Sequence, residues 1–136
     1  MSIFDLFRKR RRELSSEELK WNKMWQMWVD EEAISPYAEL MTYESEVNNG
    51  GHAQFFDNVS STADLAKVVG ALLGILKGAL HDNLKRAYDA FLEFDEESYE
   101  EGDPIDAIMD ECDGVFYENE DEIERLLREY ASTVEL

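Results

Sequence analysis

Cysteine and histidine are almost missing from this chain. One cysteine, Cys112, and two histidines, His52 and His81, stand among 136 residues. A single thiol excludes an internal disulfide and a multi-cysteine zinc site, and it fits a reducing cytoplasm. Neither histidine belongs to an H-E-x-x-H pair, and the chain has no G-x-S-x-G, Walker loop or G-x-G-x-x-G. With no catalytic constellation, the expectation is a protein that is not an enzyme and uses no cofactor. Long apolar runs are lacking as well. The stretch 65–80 comes closest, but it carries Lys67 and Lys77 and falls short of the about 20 residues that cross a bilayer. At the N-terminus Ile3, Phe4, Leu6 and Phe7 precede the basic run 8–12, the reverse of a secretory signal. Cytoplasmic location follows as an expectation.

Basic residues are scarce where acidic ones are dense. Residues 93–136 hold 18 Asp and Glu against Arg125 and Arg128, a local charge of 2 − 18 = −16, whereas the first 92 residues hold 14 acids and 11 bases, or −3. Such a field repels nucleic acid and lipid and attracts basic surfaces. The candidate partner-binding residues are Glu93, Asp95, Glu96, Glu97, Glu100, Glu101, Asp103, Glu118, Glu120, Asp121, Glu122 and Glu124. Their carboxylates would stand in for phosphate oxygens and accept bonds from Arg and Lys. If the last 44 residues were helical they would extend about 66 Å, one acid per about 3.7 Å, close to the 3.4 Å per phosphate of one DNA strand. A merely solvated, solubilising face would look similar. Calcium is a poor fit. Residues 95–106 have the acidity of a calcium loop, but the sixth position is Glu100, where the bend requires glycine. No metal site is expected.

Hydrophobic content of 44% with 12% aromatics is enough for a core, and the length suits one domain. The spacing is helical almost throughout. Ser15 with Glu18 forms a capping box before a helix carrying Leu19, Met24, Trp25 and Trp28. Ser35-Pro36 starts the next, with Pro in its first turn. Asn48-Asn49-Gly50-Gly51 stops it, and a short third helix carries Gln54, Phe55 and Phe56. Ser61 or Thr62 opens the region 63–94, which breaks near Gly78 into two helices. Gly70, Gly74 and Gly78 recur every fourth residue there and would let another backbone approach. Asp103-Pro104 caps a helix with Ile105, Ile108, Met109 and Cys112 inward, the thiol buried and structural. The last helix runs over about 120–134. The expected fold is an all-α bundle of about six helices without strands. Trp25, Trp28, Phe55, Phe56, Phe91 and Leu127 are expected inside one core. The domain is placed at 15–136, behind a basic amphipathic arm at 1–14. That arm could dock on the chain's own acidic surface or on a second subunit's, touch a membrane, or hang as a tail.

The segment Asn48 to Gln54 has two readings. As a structural corner, its Asn and Gln side chains hold the bend through backbone hydrogen bonds, and His52 is a turn residue. As a site, Glu44, Asn48, Asn49, His52 and Gln54 line a small polar pocket for a ligand or a reaction.

The run Glu46-Val47-Asn48-Asn49-Gly50-Gly51-His52-Ala53-Gln54-Phe55-Phe56 resembles the signature of a bacterial family of small acidic helical proteins that includes a DNA-mimic protein. The family pattern is an acidic helix end, N-G-G, two variable residues, then Q-F-F or Q-F-Y. The likeness covers about residues 17–134, with an aromatic-rich helix before the motif and an acidic helix bearing Tyr130 at the end. It implies a helical, non-catalytic protein. The family's best-understood member is a dimer that imitates duplex DNA and captures a DNA-binding transcription factor. By that likeness this chain would bind a basic DNA-binding protein rather than nucleic acid, and it could form a homodimer.

Overall fold

The computed structural model describes residues 14–136. The expected arm at 1–14 lies, apart from Leu14, outside the described residues. Six helices form: α1 (Ser16–Val29), α2 (Tyr37–Thr62), α3 (Leu65–Ile75), α4 (Gly78–Glu93), α5 (Pro104–Glu118) and α6 (Glu120–Ser132). A short 3-10 turn, Glu96–Ser98, sits between α4 and α5, and no strand occurs among the described residues.

Local chemistry explains most boundaries. Ser15 Oγ accepts the Glu18 amide at 3.1 Å and starts α1. Asp103 Oδ1 accepts the Ile105 amide at 3.0 Å, with Pro104 at the first helical position of α5. Pro36 stands one residue outside α2 as its N-cap rather than within its first turn. Ser61 and Thr62 do not open the next helix. They end α2, returning their hydroxyls to the Asn58 carbonyl at 3.0 and 2.8 Å, and Asp64 caps α3 instead. The break before Gly78 is present. However, a Cβ on Gly70, Gly74 or Gly78 would meet nothing within 4 Å, so no backbone closes on these glycines among the described residues.

The expected stop at Asn48–Gly51 is a hairpin without a loop. α2 is two helical limbs joined at a kink, where Gly50 (φ −159°, ψ 21°) and Gly51 (φ 78°, ψ −177°) leave the helical region. The chain doubles back there. Gln54 and Asn58 both reach Glu46, across twelve residues that a straight helix would spread over about 18 Å. α2 is therefore the hub of the bundle, touching α3, α4, α5 and α6, while α4 packs on α5 and α1 on α6.

The core is aromatic at its centre. Tyr43 meets Phe55 and Phe116 edge-on at 5.1 and 5.3 Å, and Phe56 stacks on Phe91 at 4.9 Å. Phe55, Phe56, Phe116 and Leu127 are fully buried, and Cys112 is buried with them. Trp25, Trp28 and Phe91 are only half-buried against this core, the two tryptophans because α1 is an outer helix whose inward position is Met24. Trp21, Trp25 and Trp28 form an edge-to-face ladder along α1, and the Arg128 guanidinium of α6 lies over Trp21 at 5.1 Å.

Candidate functional site

Two groups of the expected carboxylates lie at opposite ends of α5. The connector 93–103 holds seven acids and no base. Glu93, Asp95, Glu96, Glu97, Glu100 and Glu101 are exposed there, and Asp103 is half-buried. The connector is shaped rather than loose. Asp95 accepts the Glu97 amide at 3.0 Å, Phe94 meets Tyr99 edge-on at 5.5 Å, and Tyr99 donates its hydroxyl to Asp106 at 2.8 Å. Glu118, Glu120, Asp121, Glu122 and Glu124 surround the junction of α5 and α6. The fifteen residues of α5 separate the two groups by about 22 Å.

Between them α5 carries acids that the sequence reading left out. Asp103, Asp106, Asp110 and Asp113 follow one another at spacings of three, four and three, so they share one face at about 5 Å of rise each. Asp106 and Asp110 are exposed, whereas Asp113 is half-buried. The i, i+3, i+4 spacing was visible in the sequence; stopping the acidic stretch at Asp103 hid it. Connector, α5 stripe and α6 start follow one another along the chain as a run of carboxylates, the ridge.

The members of the ridge differ in what they already bind. Glu122 pairs with Arg125 at 3.1 Å, Glu124 with Arg128 at 2.7 Å, and Glu120 accepts from Asn48 at 2.9 Å. Exposed pairs of this kind hold their partners weakly, by at most about 1 kcal/mol. Glu93, Glu96, Glu97, Glu100, Glu101, Glu118 and Asp121 form no salt bridge among the described residues.

The glycine corner is a separate construction. His52 follows the bend directly and is fully buried. Its ring bridges α2 and α5: Nδ1 is 2.6 Å from Asp113 Oδ1, and Nε2 is 2.7 Å from the Tyr43 hydroxyl. The His52 amide donates to the same Asp113 oxygen at 2.8 Å. A carboxylate only accepts, so the proton sits on Nδ1 and Nε2 receives the Tyr43 hydroxyl. Burial lowers the His52 pKa, opposed by Asp113, and so favours this neutral form. Burial foremost, then Cys112 and Asp113, raises Tyr43 and keeps it a donor. Gly51 is required beneath this network. Its φ is positive, and a Cβ would strike the Asp113 carboxylate.

The other corner residues face elsewhere. Gln54 and Asn58 donate to Glu46 at 2.9 and 2.8 Å, so side chains rather than backbone groups hold the bend. Phe55 and Phe56 anchor it in the core, and Asn49 is exposed. The structure thus gathers Glu46 and Gln54 but sends Asn48 to Glu120 and His52 inward. Glu44 is half-buried near α6. Burial, then Glu120 and Glu124, pushes its carboxyl up to about 7.

The family model described as DMP19-like protein matches residues 32–134. The chain belongs to this family. The match takes in the glycine corner and the whole ridge, and it begins after α1. Nothing among curated proteins or solved structures matches the chain. DMP19-like membership is compatible with DNA mimicry. Among the described residues no helix is long and apolar enough to cross a membrane. The same residues contain no group of three or more His, Cys, Asp or Glu placed to hold a metal.

Proposed function

We propose that this chain is a non-enzymatic acidic decoy that occupies the DNA-binding surface of a basic cytoplasmic protein, such as a transcription factor. The carboxylate ridge carries the reading: seven acids and no base in the connector, continued by Asp106 and Asp110 along α5. Membership of the DMP19-like family supports it. Crowded like charges destabilise the free ridge, and a basic partner would relieve that repulsion. Each cation taken from DNA to the ridge gives binding a steep dependence on salt. The domain 15–136 does the binding.

The test is displacement of labelled duplex DNA from basic DNA-binding proteins of the same cell, read by fluorescence polarisation at low and high salt. The protein should release DNA at low salt and lose this ability steeply as salt rises. Reversing Glu96, Glu97, Glu100 and Glu101 to Lys changes the net charge from −19 to −19 + 8 = −11. All four are exposed and outside the α-helices, so the fold should survive while displacement is lost. Displacement by the reversed variant as strong as the parent's, or none by the parent, would overturn the decoy reading.

A further inference from the structure

Away from the ridge, a cleft of about 580 Å³ opens beside the end of α1. Ala38, Glu39 and Thr42 from the first limb of α2 face it, together with Val59 and Thr62 from the second. These positions share one cleft only because the chain doubles back at Gly50–Gly51. Trp28 closes another side, its indole N–H donating to Thr42 Oγ1 at 3.0 Å. No Lys, Arg or His lines the cleft among the described residues, while two carboxylates do.

One of these carboxylates is held unfavourably. Glu39 Oε1 accepts from Ser35 at 3.0 Å, but Oε2 is sealed from solvent and has no hydrogen-bond partner among the described residues. A buried polar atom without a partner is rare and calls for an explanation. Glu31, on the rim, takes the left-handed conformation of a helix C-terminal cap (φ 60°) just after α1, its amide bonded to the Trp28 carbonyl at 3.2 Å. A cation in the cleft would be attracted by both carboxylates, and a small turn of the Glu39 side chain would bring Oε2 to the cleft surface as its acceptor. The volume suits a small molecule, whose sites span about 300–1,000 Å³, and a tryptophan wall favours a cation. Trp28 and Glu31 precede the residues matched to the family, whereas Glu39 lies within them.

We propose that the cleft binds a small organic cation, an ammonium or guanidinium group on an apolar body, with Glu39 as the anchor. The cleft shares no residue with the ridge, so this inference and the decoy reading stand or fall separately.

Calorimetric titration of the full chain with 2-phenylethylamine, against 2-phenylethanol at equal ionic strength, tests it. The amine should bind saturably at one site and the alcohol far more weakly. Glu39→Gln should weaken the amine by about tenfold or more, the scale of a charge-assisted hydrogen bond. Ala38→Leu, which fills the cleft and leaves every charge in place, should weaken it too. The fourfold ridge reversal should leave amine binding unchanged. Equal binding of alcohol and amine, no amine binding at millimolar concentration, or undiminished binding by either cleft variant would overturn the proposal. Loss of binding in the ridge reversal would assign it to diffuse charge and overturn the proposal as well.

Discussion

Replacing Gly51 with alanine separates the two glycines of the corner. At φ 78° and ψ −177° Gly51 occupies a region that is essentially closed to other residues, and forcing alanine there costs about 1–3 kcal/mol. The added Cβ also strikes the Asp113 carboxylate, which receives both the amide and Nδ1 of His52. Displacing it leaves buried donors unsatisfied at about 1–3 kcal/mol each. After partial relaxation the expected loss is about 3–5 kcal/mol, a large share of a small domain's stability. Gly50→Ala should behave differently. Its φ of −159° is extended, and its Cβ meets only Gln54, whose amide end can swing away at the cost of one half-buried hydrogen bond, about 1 kcal/mol, leaving a tight contact with Gln54 Cβ at 3.0 Å. Urea unfolding followed by circular dichroism measures both. In an Asp113→Ala background the collision is gone, so Gly51→Ala should cost only the backbone part. Equal losses for the two glycines, or Gly51→Ala melting like the parent, would refute the argument.

Glu44→Gln should make the protein less sensitive to rising pH. With its folded value near 7 against an unfolded 4.5, Glu44 holds a proton in the folded state that the unfolded chain has released, so stability falls as pH climbs between them. The gap would be worth about 3 kcal/mol unscreened, and partial exposure reduces it to about 1 kcal/mol. The variant should melt alongside the parent near pH 4.5 and above it at pH 8; a pH-independent difference would refute the assignment. His52, lowered by burial, acts oppositely, contributing stability above its unfolded pKa of about 6.5 that is lost on acidification, and it cancels in this comparison. Glu31→Gly should stabilise the fold by about 1 kcal/mol, since glycine accepts the left-handed conformation at that helix end, and a urea midpoint no higher than the parent's would contradict the strain.

Helices with local signals were the legible part of this sequence. Ser15, Asp103 and Pro104 fix their boundaries through hydrogen bonds three residues long or less, so spacing alone reveals them. Asp64 was overlooked because Ser61 and Thr62 offered the same chemistry three residues earlier, and only the helix running through them decides against them. The half-burial of Trp25 and Trp28 depends on α1 being an outer helix, a matter of packing that hydrophobicity does not encode. The role of His52 was illegible for a related reason. Its partner Asp113 lies 61 residues away, and no local pattern links them. The polar letters around His52 suggested a surface turn, whereas the polarity is consumed inside the core.

Asp113 belongs by spacing to the acidic stripe of α5, yet its carboxylate is held by an interior imidazole. That makes it an angular reference for the whole helix. Sliding α5 by one residue would turn it by about 100° and carry Asp113 out of reach of His52, so the histidine admits a single azimuth. The same azimuth decides where Asp106 and Asp110 point. The direction in which the surface charge faces is thus set from within, by a neutral ring that never meets solvent together with the buried Met109, Cys112 and Phe116 of the same helix as Asp113. Residues along the ridge are free to vary in number and sign without altering its heading. His52 and Gly51 thus help to set the ridge's heading although neither carries its charge.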